Sequence, residues 1–152
     1  MNRDLSRLLG VLALTAACHQ GPPARPAAVP ADAIWLGGAK GGAWIRCEEL
    51  TKEPQTGYSC TTYHETSGDV WTQGEYRLAT WLWDNAAHAP RFEPRVDSSA
   101  SKPRYESFDG HIVYLHGYAV LVPHGWIDFP SSSDHGKRVK YDWGKPVEEI
   151  SY

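Results

Sequence analysis

No apolar run in this 152-residue chain approaches the ~20 residues that a helix needs to cross a bilayer. The longest, residues 8–17 (L-L-G-V-L-A-L-T-A-A), stops at ten and suits an export signal rather than a span. Neither sign of charge dominates: 15 Lys and Arg against 18 Asp and Glu leave a net charge of -3. Without a basic stripe, nucleic acid is a poor partner. Sulfur is scarce. Three cysteines without a C-x-x-C spacing, beside one methionine, exclude a cysteine-rich scaffold and a paired-thiol zinc or redox centre. No G-x-S-x-G, glycine-rich phosphate loop or Cys-His nucleophile signature occurs, which removes the commonest enzyme classes. With only three phenylalanines, the core must draw on the seven Trp and eight Tyr. Both are strand formers, and both can pave a binding face.

Arg3, Asp4 and Arg7 precede the apolar run, so residues 1–17 read as a secretory signal peptide. It ends in Leu14-Thr15-Ala16-Ala17-Cys18, which resembles the lipobox of bacterial lipoproteins. The resemblance covers residues 1–18 only, and implies cleavage before Cys18 and a lipid on its sulfur. In that family an Asp after the cysteine retains the protein at the inner membrane. Here the residue is His19, which implies the outer membrane, periplasmic face, with a soluble periplasmic or secreted form as the alternative. Cysteine parity agrees, because lipidating Cys18 leaves Cys47 and Cys60 as an even pair. Residues 18–32 then form a lipidated, Pro- and Ala-rich tether, extended as polyproline II and reaching roughly 40 Å at about 3.1 Å per residue.

Residues 33–145 read as one all-β domain, a small antiparallel barrel or two-layer sandwich of six or seven strands, with a loose tail over 146–152. Residues 57–78 form the central hairpin, turning at Ser67-Gly68 between Tyr- and Thr-rich arms. Cys47 and Cys60 fall on neighbouring antiparallel segments, and a disulfide there stabilises by about 3 kcal/mol. Residues 79–89 read as a strand end followed by loop, and 90–103, with Pro90, Pro94 and Pro103, as a long exposed loop. From Tyr105 a meander is expected, with turns at Asp109-Gly110 (type I′), His116-Gly117 and His124-Gly125.

Catalytic residues are not evident. His64, His88, His111, His116, His124 and His135 match no compact metal spacing; His111 and His124 are the only pair that turns bring near each other, and no metal or other cofactor is expected. Ser131, Ser132, Ser133, Asp134 and His135 hold the residue types of a hydrolytic triad, but adjacency prevents them from converging. Glu48-Glu49 and Glu148-Glu149 alternate faces in extended chain, so neither is a dyad. Of Trp71, Trp81, Trp83, Trp126 and Trp143, about half belong to the core, and Trp81 and Trp83 beside the long loop are the expected binding surface. The resulting expectation is an anchored, non-catalytic binding or inhibitory module for an envelope protein or glycan. Small periplasmic lysozyme inhibitors are similar in plan, with lipobox, short barrel and disulfide, an analogy of design without shared signature residues. The rival readings are a metal-dependent hydrolase built on clustered histidines and a structural envelope component.

Overall fold

The computed structural model describes residues 22–38, 41–52, 55–84, 89–94, 105–115, 119–131 and 135–152, with backbone alone at 38, 51–52, 55–56, 80–84, 89–94, 106 and 119. The signal peptide and Cys18 lie outside the described residues. Among these there is no helix, and ten strands make one antiparallel sheet. They are β1 (Ile34–Gly38), β2 (Gly41–Lys52), β3 (Gln55–His64), β4 (Val70–Asp84), β5 (Ala89–Pro94), β6 (Tyr105–Asp109), β7 (Ile112–Leu115), β8 (Ala119–Phe129), β9 (Lys137–Asp142) and β10 (Lys145–Ser151).

Seven strands in the order β1-β2-β3-β4-β8-β7-β6 curl into a nearly closed barrel. β1 and β6 pack side by side without a ladder between them. The all-β barrel is therefore present, its seven strands within the six or seven read from sequence, with β5, β9 and β10 lying off the barrel order. β5 pairs only with the far half of β4, and β9 with the far half of β8, carrying β10 outside it. The far half of β4 thus carries the β5 hairpin, while the far half of β8 lies between β4 on one side and β9 on the other.

The interior follows from the period of two. Ile45, Tyr58, Cys60, Tyr76, Leu78, Val113, Leu115, Leu121, Ile127, Val139 and Tyr141 all face one cluster. Each fully buried aliphatic side chain contributes about 1.5–3 kcal/mol, so the inside is a packed core. One ladder row explains how the disulfide is housed: Cys47 faces Cys60, Cys60 faces Gly74, and Gly74 faces Ile127. The Cys47–Cys60 bond is present as expected, its Cα atoms 4.1 Å apart, the close pair of an antiparallel ladder. Gly74 must be glycine because the Ile127 side chain lies where its Cβ would stand. At the end of the core, the Thr62 and Thr72 hydroxyls hydrogen-bond at 2.6 Å, and the Thr72 amide donates to Thr62 Oγ1 at 3.0 Å. That pairing removes the penalty of burying two polar side chains.

Several expectations are corrected. The hairpin turn falls on Gly110 and His111 rather than Asp109 and Gly110, with positive φ at Gly110 alone, the pattern of type II′ rather than I′. His124-Gly125 is no turn: it lies within β8, where glycine at φ 97° forms a bulge instead. The loop expected over 90–103 begins as β5, while 95–104 lie outside the described residues, as does His116-Gly117. The tail beyond Gly144 is β10; every residue of it is exposed, so no apolar alternation signalled a strand. Finally, residues 26–32 of the supposed free tether are folded against the barrel: Val29 is 4% exposed and sits over Gly68 in the β3–β4 turn.

Candidate functional site

Two backbone irregularities stand side by side on the outer face of the barrel. In the β4–β8 ladder Gly74 pairs with Ile127 and Tyr76 with Pro123, so residues 124–126 of β8 stand opposite Glu75 alone. Such bulges re-aim side chains and recur beside functional sites. Next to it, β9 and β10 are joined by Trp143 and Gly144, both at positive φ (47° and 81°), with the Gly144 amide donating to the Pro123 carbonyl at 2.9 Å. Positive φ at both turn residues marks a type I′ hairpin, which favours Asn-Gly and strongly disfavours a bulky first residue. Trp143 is held there by packing. Its ring lies 4.8 Å from that of His124 and belongs to a second apolar cluster, separate from the interior, with Ala79, Val120 and Val122 at its centre and Ile112 and Tyr114 at its rim.

Along β8 the outer face continues through His124, Trp126 and Asp128, and β9 supplies the partners. His124 Nδ1 lies 3.7 Å from Asp142 Oδ1. Trp126 is opposite Lys140 in the ladder and has both Arg138 (5.5 Å) and Lys140 (5.8 Å) against its ring, a cation–π arrangement. Arg138 also pairs with Asp128 at 2.5 Å. Two carboxylates, Asp128 and Asp142, thus balance two cations, Arg138 and Lys140, around two half-buried tryptophans. The surface offers flat apolar rings edged by donors and acceptors, and the formal charges of these four side chains cancel.

The residues singled out from sequence fall as follows. Trp81 and Trp83 occupy alternate positions in β4, opposite Phe92 and Pro90 of β5, and only their backbone is described. His111 stacks on Tyr141 at 5.5 Å, and His64 on Trp71 at 5.4 Å, so these rings and His124 each rest on a different aromatic. Among the described residues no three His, Cys, Asp or Glu side chains gather to hold a metal ion. His88, His116, Ser132, Ser133 and Asp134 lie outside the described residues. Glu48 is engaged by Arg46 and Glu149 by Lys137. Sequence reading placed Trp126 and Trp143 in the aromatic set without separating surface from core. The bulge that marks them had a signal, the Pro123-His124-Gly125 run, which reads equally as a turn. No protein-family model matches this chain, and no curated protein or solved structure matches it either.

Proposed function

We propose that this chain is an exported, lipid-anchored, non-catalytic binding module that recognises an envelope glycan or protein through the β8–β9 outer face. The observation carrying the reading is Trp143, a bulky residue kept in the left-handed region at φ 47°. Strain of this kind concentrates where a side chain must be presented in one orientation. The filled interior supports recognition on the outside of the barrel rather than in its lumen. The balanced charges around Trp126 and Trp143 favour uncharged sugar rings, which stack on aromatic faces and hydrogen-bond to mixed donors and acceptors at their edges. A disulfide inside the core fits an oxidising compartment.

The test is retention of the purified protein on insoluble cell-wall glycan, competed by soluble fragments of the same polymer. Saturable retention that falls at least tenfold in a Trp126→Ala, Trp143→Ala double variant is the expected result. Retention that never saturates, or that survives the double substitution, removes this surface from the reading. If glycan is not retained but an envelope enzyme is inhibited with the same dependence on the two tryptophans, the partner is a protein.

A further inference from the structure

The segment taken from sequence as a free tether makes two separate attachments to the barrel. Its own backbone turns twice, with the Val29 amide donating to the Pro26 carbonyl at 3.0 Å and the Ala33 amide to the Pro30 carbonyl at 3.1 Å. Arg25 reinforces the second turn by donating from Nη1 to the Pro30 carbonyl at 3.0 Å. At one end, Pro26, Ala28 and Val29 pack over Gly68 in the β3–β4 turn, the three nearest side chains to the point where a Cβ would stand. At the other, both Asp32 carboxylate oxygens accept from Arg46 Nε, at 3.0 and 2.8 Å. An apolar contact at the turn and an ionic one farther along β2 fix a direction as well as a place. Two contacts define a line where one would leave a swivel.

The chain therefore leaves the barrel at Arg25, beside the β3–β4 turn. β4 begins at that turn and runs 15 residues to its hairpin with β5, a path of roughly 45 Å along the strand. On the lipid-anchor reading, only the seven residues from Cys18 to Ala24 separate the lipid from Arg25, a reach of about 22 Å even as polyproline II, half of what the sequence suggested for the whole tether. An arm shorter than the barrel, attached at one end, restricts which end can face its anchor.

We propose that residues 26–32 are a docking clasp that sets the orientation of the anchored barrel, its β3–β4 end toward the lipid surface and its β4–β5 hairpin away from it. The orientation rests on the lipid-anchor reading of Cys18; the clasp itself does not. Because Asp128 pairs with Gln73 and Ile127 with Gly74, near the start of β4, this orientation puts the β8–β9 face on the side wall of the barrel in its lipid-proximal half.

The experiment uses the full chain made in a lipidating bacterium. The mass of the mature N-terminus reports on the anchor first, and an unmodified Cys18 overturns the anchor reading and with it the orientation. The lipidated protein is then placed in vesicles containing nitroxide-headgroup lipid, with one dye at Ser67→Cys or at Asn85→Cys. Quenching at least threefold stronger at 67 than at 85 is expected, and Val29→Asp should bring the two to parity. Equal quenching in the otherwise unchanged lipidated protein overturns the orientation. Amide hydrogen exchange tests the clasp separately: Val29 and Ala33 should exchange at least a hundredfold slower than in an unstructured peptide, and exchange at the unstructured rate overturns it. Asp32→Asn, which removes the ion pair and leaves the apolar contact, should lower that protection in part while the barrel amides stay unchanged.

Discussion

Trp143 sets two effects of similar size against each other. Holding a bulky residue at φ 47° costs about 1–3 kcal/mol, while its partial burial against Val120 and Val122 returns roughly 1.5–3 kcal/mol. Asparagine before Gly144 would suit the type I′ turn and relieve the strain while giving up the packing. Trp143→Asn should therefore unfold within about 1 kcal/mol of the unmodified protein in urea, the difference between two terms of that size, yet lose at least tenfold in glycan retention. A loss above roughly 3 kcal/mol, the range of a buried tryptophan in a core, would make Trp143 a packing residue and end its claim to recognition. Sequence could place Trp126 and Trp143 among five aromatics but could not choose between them, because exposure depends on which side of the ladder each falls. No propensity rule puts a tryptophan in the left-handed region. Trp81 and Trp83, by contrast, were legible only as alternate strand positions, and that much the β4–β5 ladder bears out.

At the scale of elements, the strands that were read correctly are those that face both core and water. The hairpin of β3 and β4 alternates, and its turn was found at Ser67-Gly68, where the Gly68 amide closes back on the His64 carbonyl at 3.1 Å. β10 escaped because it has no buried face: Val147 and Ile150 are 54% and 46% exposed. It pairs with β9 alone among the described residues, which leaves an edge able to template association. Three features blunt it. Asp142 and Lys145 close the two-residue turn, so Pro146, next in the ladder, directs its nitrogen to the open side, where it has no proton to donate. The register then shifts between Pro146 and Glu148, and Glu149 follows, held by Lys137 at 3.3 Å. Replacing both guards, as Pro146→Val with Glu149→Val, should give concentration-dependent association by light scattering beyond that of the unmodified protein, with near-unchanged unfolding of the barrel. A variant that scatters no more than the unmodified protein at the same concentrations would mean that the bulge alone protects the edge. The clasp was missed for a related reason. Proline and alanine between residues 22 and 33 look the same whether the segment is free or docked, and a single buried Val29 is too little pattern to tell.

For the molecule as a whole, the choice between barrel and sandwich could not be made from the sequence, because it depends on β1 and β6 meeting. That seam is closed by side-chain packing without ladder hydrogen bonds, so the barrel relies on what fills it, and much of the filling is phenolic. Burial raises the pKa of Tyr76 above its ordinary 10.0, with the Thr72 hydroxyl opposing the shift and Tyr141 adding to it. Burial likewise pushes Tyr105 up to about 12, helped by Tyr58, and raises Tyr141, helped by Glu149; Tyr114, at the rim of the outer cluster, is raised too, by burial and then by Asp109. A phenol whose pKa is higher folded than unfolded keeps its proton more readily in the native state. Its stabilising contribution is complete below pH 10 and is lost as the pH rises through the folded value. The protein should therefore hold its urea midpoint up to about pH 10 and lose stability between pH 10 and 12, Tyr105 being one of the phenols that drive the loss. Tyr105→Phe cannot ionise, so the gap between it and the unmodified protein should narrow or reverse over that interval. Parallel curves for the two proteins, or a midpoint flat to pH 12, would show that the phenols open to water without unfolding the barrel, and that the β1–β6 seam admits solvent while the disulfide row across β2, β3, β4 and β8 stays shut.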